Sequence, residues 1–359
     1  MSAILSPLIA CEAVQLRLTD IYKNQPTEPT PLVAFLNSEL NTSRILEKAT
    51  SPGMGKLRKV KVIYQPRFTE DQVSATLTTD CTTDNVPPQT FFEYEIDPDT
   101  GAEWKQKFNL RDLIETCQGN ENYVASQIMA IIDVARRSME TELTSALALN
   151  MGMFAKNDTS GVFAIDGSST GRALKKVPTL YTDGKFNENA LAEITFSARQ
   201  AVFKSIPFIF GTGTIEKYFD KLYAPAVTQW GLDLEKYING KYVFMPSYRI
   251  GAAFNPDSNT ERFVALDAGS FFILQYNKFD GMEGLNDVSA ANAGLVQGII
   301  TDPITGVDFN YKWVYSPCGE YATAVVSTAF QLAALPDDMY ATSDRLNGVN
   351  GGLVFQISN

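Results

Sequence analysis

NYVASQIMAIIDVARRSMETELTSALALN, residues 122–150, is the stretch on which the reading of the whole chain turns. Val124, Ile128, Ile132, Ala135, Met139, Leu143 and Leu147 recur every three or four positions, the spacing of one apolar stripe on an α-helix. At 1.5 Å per residue such a helix is about 40 Å long, against about 11–12 residues for an average helix. Asp133 with Arg137, and Arg136 with Glu140, are i,i+4 pairs that read as its polar side. Gly152 ends it. A single stripe on so long a helix reads as a strut lying across a sheet.

Working back from this helix, residues 109–118 read as a shorter one, with Asn109 as cap, Asp112 in its first turn and Gly119 as the stop. Residues 56–96 have a different period. Val60, Val62 and Tyr64 alternate with Lys59, Lys61 and Ile63. Val73, Ala75 and Leu77 alternate with Ser74, Thr76 and Thr78, and Phe92, Tyr94 and Ile96 with Glu93 and Glu95. A period of two argues strands with one wet face. Thr69-Glu70-Asp71 reads as the tip between the first two strands. A hairpin this long and polar has little core of its own, and isolated hairpins are marginal in water, so it is expected to lean on something else, such as another subunit. Further back, Ser51-Pro52-Gly53 closes a helix expected at 32–48, and the Pro-rich stretch 24–31 (NQPTEPTP) separates it from an amphipathic helix at 3–23.

Downstream of the long helix, 156–186 is rich in Gly, Ser, Thr and Asp and reads as loops with short strands. A compact α/β lobe follows. Asn187 caps a helix carrying Leu191, Ile194, Ala198 and Val202. Ile206 to Phe210 is a short apolar run that reads as a buried strand, and Gly211-Thr212-Gly213-Thr214 turns the chain into a helix with Ile215, Tyr218, Phe219 and Leu222 on one face. Strands are expected near 241–245, 262–267 and 271–276. Residues 307–316 and 320–330 read as two long strands joined at Ser316-Pro317-Cys318-Gly319.

Composition excludes more than it identifies. The chain has 359 residues, enough for two or more lobes. Its net charge of −11 lacks the basic footprint that gripping nucleic acid requires. It contains no His, so Ser-His-Asp and Cys-His nucleophilic sites and His-ligated metal centres cannot be built from this chain alone. Cys11, Cys81, Cys117 and Cys318 are scattered without CxxC spacing, which argues against zinc or thioredoxin-type motifs and reads as free thiols; a Cys81–Cys117 bridge stays open. No apolar run reaches the roughly 20 residues a membrane-spanning helix needs.

Three short motifs suggest chemistry and are better read as turns. Gly167-Ser168-Ser169-Thr170-Gly171 matches the GxSxG nucleophile elbow, but no histidine exists to act as its base, and a Ser–Lys pairing with Lys175 or Lys176 is the remaining way to activate it. Gly211-Thr212-Gly213 sits where dinucleotide fingerprints sit, yet the third glycine position holds Glu216, whose charge would repel pyrophosphate. Asp97-Pro98-Asp99-Thr100-Gly101 with Glu103 is oxygen-rich like a calcium loop but lacks its twelve-residue spacing. The sequence therefore offers no catalytic, cofactor-binding or metal residues, and the chain reads as a non-enzyme.

The order of elements carries a resemblance: an N-terminal arm, a long polar hairpin, a long strut helix, a compact α/β lobe and returning strands. This order resembles the Hong Kong 97-type capsid fold of tailed bacteriophages. FNENALAEITFSARQAVFKSIPFIFG from Phe186, TQWGLDLEKYINGKYVFMPSYRI over 228–250, and Val264-Ala265-Leu266-Asp267-Ala268-Gly269-Ser270 are similar to that family's helix-to-strand, glycine–helix–glycine–strand and strand-turn passages. The resemblance covers most of 56–330. It implies an α+β fold with an N-terminal arm (1–54), an extended β-hairpin loop (55–108), and a peripheral domain (109–186) holding a spine helix at 122–150. An axial α/β domain (187–300) and returning peripheral strands with a C-terminal segment (301–359) complete it.

The function implied is that of a major capsid protein, assembling as hexamers and pentamers into an icosahedral or prolate shell around double-stranded DNA. The virion would be its location and the host bacterial cytoplasm its place of assembly. Portal, scaffold and decoration proteins are the partners implied, with only non-specific proximity to the packaged DNA and no membrane. With an arm that starts within a few residues of Met1, any scaffold is expected to be a separate protein, or absent. The Lys, Asn and Glu that crosslink subunits in some members cannot be assigned here, so no self-catalysed crosslink is expected. Arg58, Lys59, Lys61, Arg67, Phe68 and Glu70 on the hairpin are the expected inter-subunit contacts; a solvated strand face is the plainer alternative for the four basic ones. Two rival readings remain, an encapsulin-type nanocompartment shell of the same fold, and a metal- or lysine-dependent α/β enzyme.

Overall fold

The computed structural model describes residues 28–38, 48–49, 59–64, 90–96, 101–109, 120–150, 154–157, 162–165, 173–175, 181–182, 185–186, 194–195, 198–199, 203–213, 215, 242–254, 260–277, 295–315, 321–334 and 351–358. They form an α+β fold. Three helices matter most: α1 (Pro31–Asn37), α2 (Asn120–Asn150) and α3 (Ile250–Phe254). At 31 residues, α2 begins two residues before the periodicity places it and is about 46 Å long. Ile128, Ile132, Ala135, Met139, Leu143 and Leu147 are all buried, as the stripe requires. Burial extends past the stripe, however, to Met129, Ile131, Arg136, Glu140 and Thr144. The long helix is therefore packed on more than one side, and its outward face is left to Ala130, Val134, Thr141, Glu142 and Ser145.

The strands, in chain order, are β1 (Lys48–Ala49), β2 (Lys59–Tyr64), β3 (Thr90–Glu95), β4 (Ala102–Asn109), β5 (Phe154–Asn157), β6 (Val162–Ile165), β7 (Ala173–Lys175), β8 (Tyr181–Thr182) and β9 (Lys185–Phe186). There follow β10 (Phe208–Gly211), β11 (Val243–Pro246), β12 (Thr260–Leu266), β13 (Phe271–Tyr276), β14 (Leu295–Thr301), β15 (Asp308–Tyr315), β16 (Tyr321–Ala334) and β17 (Gly352–Ser358). Two sheets make the body. One has five strands, β13-β16-β15-β14 with β4 also paired to β16; the other has four, β11-β10-β12-β17. Among the described strands only β10 and β11 run parallel, with Phe208 opposite Val243. β1, β2 and β3 form an antiparallel sheet of their own, β5–β7 another, and β8 and β9 a two-stranded hairpin.

The five-stranded sheet is the floor under α2. On β15, Phe309, Tyr311 and Trp313 are buried at alternate positions, while Lys312 between them is exposed. Phe108 of β4 stacks on Trp313 with ring centroids 5.4 Å apart, and Trp104 meets Phe309 edge-on at 6.2 Å. Trp313 is the largest fully buried side chain described. Trp313→Ala is therefore expected to lower stability by about 3–5 kcal/mol, the usual loss for truncating a core aromatic, read from the midpoint of a urea unfolding curve. A shift under about 1 kcal/mol would mean that this sheet and helix do not share one core.

Several expectations change here. The helix expected at 32–48 stops at Asn37, because Ser38 turns extended and both its N–H and its hydroxyl bond the Phe35 carbonyl; Lys48–Ala49 is a strand. Asn109 closes β4 opposite Tyr321, and the rest of the helix expected at 109–118 lies outside the described residues. Four elements, β4, α3, β14 and β17, were not expected. Strand pairing runs across position 300. β13 and β14 pair into the five-stranded sheet, and β17 returns to the four-stranded one, with Leu353 opposite Ala265 and Phe355 opposite Phe263. The turn at Asp267–Ser270, with Gly269 at φ +83, is where the chain leaves one sheet for the other.

Candidate functional site

The residue types that built the sequence-level candidates do not converge on chemistry. Among the described residues, no group of His, Cys, Asp or Glu could hold a metal ion, and no helix is long and apolar enough to cross a membrane. Glu103, from the oxygen-rich turn, is in β4 with its carboxylate 2.6 Å from Lys105; residues 97–100 lie outside the described residues. The glycine turn after β10 is filled by protein. A Cβ on Gly211 would sit 3.2 Å from Ile215 and 3.3 Å from Phe244, and one on Gly213 would sit 3.3 Å from Tyr248. Gly167–Gly171 is outside the described residues.

What the structure does gather is a polar junction on one turn of α2, buried where three segments meet. Glu140, fully buried, accepts a hydrogen bond from the Leu32 N–H at 3.2 Å, from the Val33 N–H at 2.8 Å and from the Ser247 hydroxyl at 3.0 Å. The first two donors are in the opening turn of α1, whose amides have no partner within the helix. The residue placed to cap them, Thr30, makes no side-chain cap bond. Glu140, more than a hundred residues later, takes that role. The positive end of the α1 dipole is one of the features here that favour the ionised form of this carboxyl. Burial pushes its pKa up from the ordinary 4.5, against the opposing pull of the three hydrogen bonds and of Arg249.

Arg136, one turn earlier, holds the other end of α1 indirectly. Its side chain is 1% exposed; Nη2 donates to Asp133 at 2.5 Å, and Nη1 is 3.5 Å from Asp302. Asp302, also fully buried, organises the turn between β14 and β15 by accepting from the amides of Ile304 and Thr305 and from the Thr305 hydroxyl. Gly306 completes the turn at φ +68, a conformation that favours glycine. The Thr305 carbonyl accepts from the Asn37 side chain at 2.9 Å, fixing the last residue of α1. Between its two ends, α1 buries Leu32, Val33, Phe35 and Leu36, and the Phe35 ring packs on Phe208 and Phe210 of β10 at 4.6 and 5.3 Å. At the rim of the junction Arg249 bonds Glu28 at 3.0 Å and Thr141 at 2.8 Å, while Arg137 lies 3.1 Å from Asp133 and 3.8 Å from Glu28.

The expected Arg136–Glu140 pair on a polar helix face is thus corrected. Both side chains are buried, and their partners are Asp133 and Asp302 for the one and α1 and Ser247 for the other. The Asp133–Arg137 pair does form. A signal was present in the sequence: Ile132, Arg136, Glu140 and Thr144 make an i,i+4 row beside the apolar stripe.

The predicted inter-subunit residues fare differently. Lys59 and Lys61 lie two apart on β2, on one face of that strand, and the register sets them opposite Glu95 and Glu93 of β3. Arg58, Arg67, Phe68 and Glu70 lie outside the described residues.

No protein-family model matches the chain, and no curated protein matches it. Solved structures do. The capsid asymmetric unit of cyanophage A-1(L) matches over 92% of this chain and 92% of its own, with a TM-score of 0.51 and 13% identity. The capsid of Ralstonia phage GP4 matches over 84% and 83%, with a TM-score of 0.46 and 9% identity. The holo-SrpI encapsulin of Synechococcus elongatus matches over 95% of each chain, with a TM-score of 0.39 and 12% identity. At 13% identity the cyanophage likeness speaks to fold, and on that ground the chain is folded like a tailed-phage capsid protein of the Hong Kong 97 type.

Proposed function

We propose that this chain is the major capsid protein of a tailed phage, closing as hexamers and pentamers into an icosahedral or prolate head shell around double-stranded DNA. On this reading α2 is the spine helix, the five-stranded sheet belongs to the peripheral domain, the four-stranded sheet is the core of the axial domain, and α1 is the root of the N-terminal arm. The work is mechanical, and no residue is assigned a catalytic role. The observation that supports the reading, beyond the fold, is the sheet of β1, β2 and β3, which among the described residues pairs with neither large sheet. Its third strand, β1, is only two residues long, so it adds little to a β2–β3 hairpin that is marginal in water by itself, and a neighbouring copy of the subunit would brace it. Arg58, Lys59, Lys61, Arg67, Phe68 and Glu70 are the contacts proposed for that neighbour. The net charge of −11 keeps such a shell from adhering to the DNA it encloses.

The test is direct. The purified chain, examined by negative-stain microscopy and on a sizing column, is expected to form closed particles of uniform diameter. A monomer that stays monomeric as its concentration is raised overturns the reading. Particles from the natural source that carry a protein cargo in place of DNA would make the chain a nanocompartment shell instead.

A further inference from the structure

Glu140 does more than the assembly reading requires of it. It is a fully buried carboxylate on α2, and it holds donors from two segments each 107 or 108 positions away in sequence. It also substitutes for the cap that α1 lacks. With seven residues, α1 is well under the roughly 12–15 at which isolated helices persist in water. Folding of α1 and its docking on α2 are therefore one event, and Glu140 sits where that event is completed. We propose that Glu140 is a proton-sensitive latch: α1 and the chain leading into it are held most tightly when Glu140 carries a proton, and more loosely when it is ionised.

The sign follows from solvation. Docked, Glu140 is buried and its pKa is raised; undocked, it meets water and returns to the ordinary value near 4.5. The docked state therefore binds the proton more strongly than the undocked one. Its advantage is complete below about pH 4.5 and is lost as the pH climbs through the raised value. The bonding geometry tolerates the proton. The Ser247 hydroxyl, which donates to the carboxylate, can rotate and accept from the acid, while the second oxygen keeps the 2.8 Å bond from Val33. The bond that weakens is the 3.2 Å one from Leu32. Four buried apolar side chains keep α1 in place in both states, so the latch alters how often α1 opens, not where it lies.

Among the described residues, the other charges around Glu140 are accounted for. Asp133, Arg136 and Arg137 belong to α2, Glu28 to the segment before α1, Arg249 to the loop before α3 and Asp302 to the β14–β15 turn; α1 itself has no titratable side chain. Arg249 favours the ionised form, but it is already engaged by Glu28, and burial outweighs it.

The test is amide hydrogen exchange of the full chain from pH 5 to 8, corrected for intrinsic rates, reading residues 28–38 with β15 and β16 as the internal reference. In the unaltered protein, protection of α1 is expected to fall by about tenfold for each unit by which the docked value exceeds the undocked one. Glu140→Gln, which mimics the acid, should hold the protected level with no pH response. Glu140→Ala should lose protection at every pH. Should that variant fail to fold, Ser247→Ala serves, because it removes a donor that supports the ionised form and should lower protection chiefly at the alkaline end, steepening the pH response. A flat profile in the unaltered protein, a Gln variant as open as the Ala variant, or a Ser247→Ala profile unchanged from the parent each overturns the latch. The measurement needs no shell, so its failure leaves the capsid reading standing, and a failure to assemble leaves the latch standing.

Discussion

Arg136→Ala is expected to lower folding stability by about 3–5 kcal/mol, the loss typical of removing one partner from a buried ion pair. Its side chain is 1% exposed and sits between Asp133, which is 22% exposed, and Asp302, which is not exposed at all. Removing the guanidinium leaves the Asp302 charge in the interior without a cation and opens a cavity the size of an arginine side chain. Asp302 keeps three hydrogen bonds from its own turn, which places the expected loss toward the lower end. Arg137 is the control. It is one residue along the same helix and also paired, with Asp133 and Glu28, but 37% exposed. Arg137→Ala should cost less than about 1 kcal/mol, as solvated ion pairs do. Urea unfolding of both variants gives the comparison. Equal, small losses would mean that water reaches Arg136 and that the junction is not the buried one described. Arg136→Ala should also raise hydrogen exchange at Asn37, because the turn that Asp302 organises is the one that fixes the end of α1.

Legibility varied with how local each signal was. The long helix α2 was readable because its stripe from Ile128 to Leu147 is a within-helix pattern, and β13 was read at its observed span because Phe271 to Tyr276 is a short apolar run bounded by Gly269-Ser270. β15 and β16 were readable as a pair joined at Ser316–Gly319. β4 was not, because Glu103, Lys105, Gln106 and Lys107 face solvent and only Trp104 and Phe108 mark its inner side; β16 recruits it from more than two hundred positions away. β17 was missed for the same reason. Leu353-Val354-Phe355 is an apolar run too short to classify alone, and its partner, β12, is some ninety positions upstream. The junction is the clearest case. An i,i+4 Arg–Glu pair on a helix is ordinarily a solvated ornament worth a few tenths of a kcal/mol. The partner of Glu140 is α1 and that of Arg136 is the β14–β15 turn, and no pattern local to 122–150 records either.

Deleting residues 66–71 is expected to leave a folded, soluble subunit that cannot close a shell. The deletion falls between β2, which ends at Tyr64, and β3, which begins at Thr90, so neither large sheet loses a strand. Shortening the connection changes its closure entropy by well under about 1 kcal/mol, because that term grows only with the logarithm of length. The effect should therefore appear in assembly and not in the melting temperature. In the proposed shell each subunit would both extend its hairpin over one neighbour and be covered by another's, so the lost contact would recur at every position. A loss of about 2.8 kcal/mol per subunit raises the concentration needed for assembly by about a hundredfold. Negative-stain fields should then show scattered subunits or open fragments at concentrations where the parent chain gives uniform particles, with unchanged urea unfolding. Two results would defeat this. Normal closed shells would remove the hairpin from the assembly mechanism. An unfolded variant would show that the stretch around Phe68 is packed on the subunit's own core, and the case for a braced hairpin, on which the capsid reading most depends, would go with it.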